Sequence, residues 1–196
     1  VRDDYHHEVL DMIDPNKKMI LVTMHRRENQ GDPMRRVFKV MREVVESHPD
    51  IEIIYPVHLN PVVQEAADAI LGHHKRIHLI DPLDVVDFHN LAARSYFIMT
   101  DSGGVQEEAP SLGKPVLVLR DTTERPEGVE AGTLKLVGTD PTTVKTAMLQ
   151  LLDDPTEYRR MAEAKNPYGD GHASRRILDA ILYDFGKIQN RPAPFK

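Results

Sequence analysis

Short apolar runs alternate with longer amphipathic segments along this chain. Runs typical of buried strands lie at residues 19–23, 51–55, 77–80, 96–100 and 115–119, with a sixth candidate at 133–137. Between the first two runs, apolar residues recur at helical spacing at Met34, Val37, Phe38, Met41, Val44 and Val45. The pattern also predicts helices over residues 61–71 and 83–93, and a helix that begins at residue 103.

Strands separated by helices predict βαβ units with right-handed crossovers and a parallel sheet. The expected fold class is therefore α/β, a Rossmann-like doubly wound parallel sheet. Ligands of such sheets bind outside the carboxyl ends of the strands. Three polar segments follow strand ends, at residues 23–29, 56–61 and 101–108, so we expect them to meet at one edge of the sheet.

The last third of the chain is predicted to be helical. Thr-Asp-Pro at residues 139–141 is a typical helix start. After Asn-Pro-Tyr-Gly-Asp-Gly at residues 166–171, a long helix is expected over residues 173–189. Its apolar stripe consists of Ile177, Leu178, Ile181, Leu182, Phe185 and Ile188. This stripe is longer than a minimal domain needs, so we expect it to pack on something outside the chain.

Composition narrows the class of protein. The chain has 196 residues, of which 40% are hydrophobic and 29% charged, as in ordinary globular domains. No apolar run approaches the ~20 residues of a membrane span. The formal net charge of −6, with dispersed basic residues, argues against a nucleic-acid surface. The chain has no cysteine, which excludes disulfides and thiolate metal sites and makes a cytoplasmic location the default.

Histidines do not indicate a metal site. The pairs at residues 6–7 and 73–74 are adjacent in sequence, and adjacent residues do not face one way on a helix. No carboxylate spacing supports either pair as a ligand set. We therefore predict no bound metal.

Asp-Ser-Gly-Gly-Val-Gln-Glu-Glu at residues 101–108 is the most informative segment. A strand runs into a turn at Ser102, Gly103 and Gly104, and a helix with two carboxylates follows. Free N–H groups at a helix start, beside glycines that admit a ligand, favour an anion. A carboxylate further along can accept hydrogen bonds from ribose hydroxyls, so the segment indicates a nucleotide. The alternative is a turn that binds nothing, with an acid there only to complement the helix dipole.

The other strand-end loops also carry candidate groups. His25 and the arginines after it would lie where a diphosphate could sit, although an ordinary solvated loop is the alternative. His58 lies in a loop between two prolines, where it is either a catalytic residue or a hydrogen-bonded turn residue without a catalytic role. Asn60 before a proline is a typical helix cap. Residues 120–128 form a charged segment, and position alone makes Arg125 a candidate anion contact.

Taken together, these loops resemble the second half of the non-hydrolysing UDP-N-acetylglucosamine 2-epimerases. Five motifs appear in order, at residues 23–29, 56–61, 101–108, 124–127 and 166–171. The resemblance covers essentially the chain from Lys18 onward. It implies the C-terminal domain of a GT-B-like two-domain fold, with the active site between two Rossmann-like domains. Such enzymes eliminate UDP across C1–C2 of UDP-GlcNAc and add it back to give UDP-ManNAc, so no external cofactor is expected.

The resemblance also implies roles for single residues. His25 would be the catalytic histidine that stabilises departing UDP. Ser102, Gly103 and Gly104 would hold phosphate through hydroxyl and backbone N–H groups. Glu108 would accept the ribose hydroxyls.

Four further residues belong to the same set. Phe88 would lie beside the uracil, and Arg125 would bind the substrate as an anion contact. In bacterial members a second UDP-GlcNAc acts as an allosteric activator. Arg26 and His58 match the positions that contact it.

The acidic residues that act at C2 belong, in this family, to an N-terminal domain with no counterpart here. We therefore expect residues 1–17 to be a linker helix from that missing domain, residues 18–165 to be the UDP-binding domain, and residues 166–196 to be a crossing helix and tail. The expected partners are UDP, a UDP-N-acetylhexosamine, the N-terminal domain and a second copy in a homodimer. The chain alone is predicted to be inactive, and the complete enzyme to serve surface polysaccharide synthesis.

Three alternatives remain open at this point. A GT-B glycosyltransferase donor domain shares the fold and the phosphate and ribose contacts. A hydrolysing epimerase would release free ManNAc and UDP. A non-catalytic UDP-sugar-binding domain would cover its apolar C-terminal helix by self-association.

Overall fold

The six predicted strands form one parallel sheet. The computed structural model describes residues 8–193. The strands are β1 (Lys18–Thr23), β2 (Ile51–Pro56), β3 (Ile77–Ile80), β4 (Phe97–Thr100), β5 (Val116–Val118) and β6 (Leu134–Leu136). Their order is β3-β2-β1-β4-β5-β6, and every pairing is parallel. The Rossmann-like prediction is confirmed, and the strand order reverses between β1 and β4, where such sheets bind ligands.

Helices connect the strands and cover both faces of the sheet. They are α1 (Val9–Met12), α2 (Asp32–Ser47), α3 (Pro61–Leu71), α4 (Val85–Arg94), α5 (Gly103–Glu108), α6 (Pro126–Ala131), α7 (Pro141–Asp153), α8 (Pro155–Ala162) and α9 (Ala173–Asp184). Side-chain caps explain several starts: the carboxylate of Asp84 accepts from two N–H groups of α4, and Asp140 and Asp154 cap α7 and α8. Helices α6 and α8 were not predicted; α6 lies partly in the segment predicted as a charged loop.

The apolar strands are buried on both sides, which explains their continuous hydrophobic runs. In β1, Ile20 and Val22 belong to the larger core cluster, together with residues of α2, α3 and α7. Met19 and Leu21 belong to the second cluster, with residues of α1 and α4. The interiors of β1 and β4 are thus apolar, and Thr23 and Thr100 stand at the carboxyl ends of these two strands.

The C-terminal helix is shorter than predicted. Helix α9 ends at Asp184, because Gly186 adopts φ +65° and its N–H bonds to the carbonyl of Tyr183. The prediction that the helix reaches residue 189 is therefore wrong, and Ile188 lies beyond it. None of the residues of α9 is buried, and Phe185 after it is 76% exposed.

The N-terminal segment is helical over only part of its described length. Of residues 8–17, Val9–Met12 form α1, and residues 1–7 of the predicted linker helix lie outside the described residues. Val9 and Leu10 are buried, and the guanidinium of Arg94 donates to the carbonyl of Leu10 at 2.7 Å. Across residues 8–193, no helix is long and apolar enough to cross a membrane.

Candidate nucleotide-binding site

The ends of β1 and β4 are joined at the switch point. Thr23 and Thr100 are register partners, and their hydroxyl oxygens are 2.6 Å apart. The N–H of Ser102 donates to the Thr100 hydroxyl at 2.9 Å, so this N–H is already used within the protein. Within residues 8–193, no hydrogen bond occupies the N–H of Gly103 or Gly104. The hydroxyl of Ser102 and these two N–H groups are what the turn offers an anion.

Asp101 holds the β1 loop against this turn. Its carboxylate is fully buried and accepts from the backbone N–H groups of His25 and Arg26 at 2.9–3.1 Å, and from the side-chain amide of Asn29 at 3.0 Å. A buried carboxylate needs such donors to offset its lost hydration. This role of Asp101 could not be predicted from the sequence, because the donors lie more than 70 residues away. Burial, and then the charge of Asp101, raise the pKa of nearby Tyr55.

The two predicted histidines meet. The rings of His25 and His58 stack with centroids 5.2 Å apart and planes inclined by 23°. Nδ1 of His58 accepts from the N–H of Asn60 at 3.0 Å, so in the neutral ring the proton lies on Nε2. Asn60 caps α3 as predicted, accepting from Val62 N–H at 3.0 Å. His58 is thus both a hydrogen-bonded turn residue and a neighbour of His25, and the predicted convergence of the three loops is confirmed.

Two arginines flank the glycine turn. A Cβ on Gly103 would lie 3.4 Å from Nη2 of Arg125 and 3.8 Å from Nη2 of Arg26. The guanidinium of Arg125 also donates through Nε to Glu107. The edge therefore presents two guanidiniums, two free N–H groups and a hydroxyl, which together suit phosphate oxygens.

A buried arginine ties the two arginine-bearing loops together. Arg120 is only 8% exposed and donates to Glu28 at 2.9 Å and to both oxygens of Glu124 at 2.6 and 2.9 Å. Glu124 also lies 3.9 Å from Nη1 of Arg26. Hydrogen bonds from Arg120 lower the pKa of Glu124 to about 2. Arg120 could not be predicted as part of the site from the sequence, since a single charged residue after a strand has no distinguishing spacing.

A second set of contacts positions Arg125. Gln106 is fully buried; its amide donates to the carbonyl of Ser102 at 3.2 Å and its oxygen accepts from the hydroxyl of Thr123. That hydroxyl accepts in turn from the N–H of Arg125 at 3.0 Å. Tyr168 donates its hydroxyl to the carbonyl of Arg125 at 3.3 Å. The signal for Gln106 in the sequence is only that a polar residue stands two positions after a glycine pair.

The predicted ribose and uracil residues lie on neighbouring helices. Glu108, at the end of α5, is half-exposed and lies 3.2 Å from Nε2 of His89 on α4. Phe88, the neighbour of His89, is partly buried against the second core cluster. Glu108 thus faces the helix that carries Phe88.

A doubly wound parallel sheet with a basic, glycine-lined edge at its switch point defines the class of Rossmann-like domains, in which ligands bind at that edge. Its architecture is that of one half of a GT-B fold. Residues 1–182 match the family model described as UDP-N-acetylglucosamine 2-epimerase. The chain belongs to this family.

Similar proteins agree on the family and on the extent of the match. The chain is 61% identical to the UDP-N-acetylglucosamine 2-epimerase of Bacillus subtilis, covering 100% of this chain and 51% of the relative. It is 55% identical to that of Escherichia coli K12, with 86% and 45% covered. The chain therefore spans about half the length of the curated relatives it matches.

Solved structures give the same result. The S. aureus MnaA–UDP structure matches with a TM-score of 0.92 at 55% identity, over 100% of this chain and 53% of that chain. The Neisseria meningitidis UDP-GlcNAc 2-epimerase bound to UDP-GlcNAc matches with a TM-score of 0.85 at 44% identity, over 90% and 47%. The glycosyltransferase WaaG, at 16% identity and a TM-score of 0.63, shares the fold alone.

Proposed function

We propose that this chain is the UDP-binding half of a UDP-N-acetylglucosamine 2-epimerase, which interconverts UDP-GlcNAc and UDP-ManNAc. The observation that carries the proposal is the meeting of Arg125 and the free N–H groups of Gly103 and Gly104 at the β1/β4 switch point, with Arg26 beside them. A relative and a solved structure that are both named UDP-N-acetylglucosamine 2-epimerase match the whole chain, at 61% and 58% identity. The glycosyltransferase alternative has only a likeness of fold in its support.

The groups at this edge suit the leaving group of the reaction. In the proposed reaction, a base takes the proton from C2, and the C1–O bond breaks with its electron pair going to UDP. The resulting glycal is then protonated at C2 on the opposite face, and UDP adds back at C1. Arg125 and the glycine turn would stabilise the negative charge that develops on the diphosphate. His25, held by Asp101 through its backbone N–H, would lie beside it.

Nucleoside contacts would come from α4 and α5. Glu108 would accept the ribose hydroxyls in exchange for its contact with His89, and Phe88 would lie beside the uracil. Arg26 and His58 would contact a second, activating UDP-GlcNAc. The stacking of His58 on His25 supports communication between the two positions.

The remaining parts of the proposal concern what lies outside this chain. The acidic groups that act at C2 would come from an N-terminal domain, against which the exposed apolar face of α9 would pack. That face includes Ile177 and Ile181, which are 59% and 49% exposed. We propose further that the complete enzyme is a homodimer and lies in the cytoplasm.

Calorimetric titration of UDP into this chain tests the binding site. We expect saturable binding by the parent. Binding should fall at least about tenfold in Ser102→Ala and in Glu108→Ala, because each removes a charged or polar contact to the nucleotide. Thermal unfolding of each variant is the control for folding. Unchanged affinity in both folded variants would place UDP elsewhere.

Epimerase assays test whether catalysis needs both this chain and the proposed N-terminal domain. The purified 196-residue chain is expected to give no conversion of UDP-GlcNAc to UDP-ManNAc, because it lacks the groups proposed to act at C2. Proton NMR with excess UDP-GlcNAc over hours would detect slow turnover. Measurable UDP-ManNAc would contradict the proposal that catalysis needs both domains, and stoichiometric release of free UDP would indicate a hydrolase.

A further inference from the structure

The two arginines at the glycine turn each have a carboxylate beside them in the structure, and the predicted ribose acceptor has a histidine beside it. Arg26 lies 3.9 Å from Glu124, Arg125 contacts Glu107, and Glu108 contacts His89. A diphosphate that binds at the glycine turn must therefore compete with carboxylates already beside the arginines. The two carboxylates differ in how firmly they are held.

Glu124 is held firmly in its loop beside Arg26. Both of its oxygens accept from the buried guanidinium of Arg120, at 2.6 and 2.9 Å. Its contact with Arg26 is longer, at 3.9 Å. Two hydrogen bonds to Arg120 therefore hold Glu124 independently of Arg26.

Glu107 is held differently. Its side chain is 45% exposed, and within residues 8–193 the guanidinium of Arg125 is its only hydrogen-bonding or ion-pair partner. An ion pair exposed to this extent contributes little net free energy, so the carboxylate can move away at small cost. The same guanidinium faces Gly103, whose N–H is free.

We propose that Glu107 is a displaceable counter-ion of Arg125, which the diphosphate replaces and which thereby sets the affinity of the site. The inference rests on the proposed function, since it requires a diphosphate at this turn. Without ligand, Glu107 holds the guanidinium in place. With ligand, its negative charge lies close to a multiply charged diphosphate and opposes binding. Glu107 would thus limit how tightly UDP is held and favour release of the product.

Glu107→Gln tests this proposal, because the glutamine oxygen still accepts from Nε of Arg125 while the charge is removed. We expect the variant to bind UDP about three- to tenfold more tightly than the parent in low salt. The gain should shrink when the salt concentration is raised to about 0.5 M, since screening weakens the repulsion. Isothermal titration at both salt concentrations measures this. Tighter binding cannot result from a damaged fold.

Glu108→Gln is the matched control, since it makes the same change of charge at the next residue. We expect it to weaken binding, because Glu108 is the proposed ribose acceptor. Equal tightening in both variants would indicate a general effect of net charge and would overturn the inference. Unchanged or weaker binding by Glu107→Gln, with a parent that binds UDP, would overturn it and leave the proposed function standing. A parent that does not bind UDP would overturn both.

Discussion

Asp101→Ala is expected to lower the free energy of unfolding by about 3 kcal/mol, because it leaves buried donors without an acceptor. The donors are the N–H groups of His25 and Arg26 and the amide of Asn29. Within residues 8–193, no buried side-chain nitrogen or oxygen lacks a partner, so the substitution breaks a fully satisfied network. Urea unfolding of parent and variant measures the loss.

The same substitution should abolish measurable UDP binding even where the protein remains folded. The loop that carries His25 and Arg26 would no longer be fixed beside the glycine turn. Asp101→Asn is the graded control, since one amide oxygen can still accept while the charge is lost. We expect it to fall between parent and Asp101→Ala in both stability and affinity. A variant Asp101→Ala with parental stability and affinity would show that the loop is held by other contacts.

Gly104→Ala is expected to weaken UDP binding without lowering the stability of the fold. Among residues 8–193, a Cβ at Gly104 would meet Oε1 of Glu108 at 3.8 Å and Oγ of Ser102 at 4.0 Å and nothing nearer, and these are ordinary contact distances. Alanine is also the better helix former, so stability should be unchanged or raised by up to about 1 kcal/mol. The new methyl group would lie between the proposed ribose and phosphate contacts. We therefore expect UDP affinity to fall by about tenfold or more, measured by titration alongside thermal unfolding.

Gly128→Ala is the matched control for this prediction. A Cβ there would lie 2.3 Å from the hydroxyl of Tyr168 and 2.5 Å from a methyl group of the buried Leu134, so neighbouring groups must move. Overpacking of this kind costs about 1–3 kcal/mol. The free energy of unfolding should thus fall in Gly128→Ala and should not fall in Gly104→Ala. Parental UDP affinity in Gly104→Ala would mean that the nucleotide does not cross this turn.

Strand and helix positions could largely be predicted because they depend on local spacing. The run at residues 77–80 became β3 with the predicted bounds, and the cap at Asn60 began α3 as expected. Helix α8 was missed although Asp154 and Pro155 repeat the signal that predicted α7. Helix α6 is short and rich in charge, so its sequence is typical of a loop; packing of Tyr168 against Gly128 accompanies it in the structure.

The sequence by itself determined the parallel α/β fold, the edge at which polar loops meet, and the family to which the motifs point. Hydrophobic spacing and turn residues act over a few positions, and they are readable along the chain. Only the tertiary structure decided which charges pair there: Asp101 with the loop of His25, Arg120 with Glu28 and Glu124, and Arg125 with Glu107. Most of these partners are separated by 18 to 92 residues. Their pairing depends on strand order, which brings distant loops together and which no local pattern records.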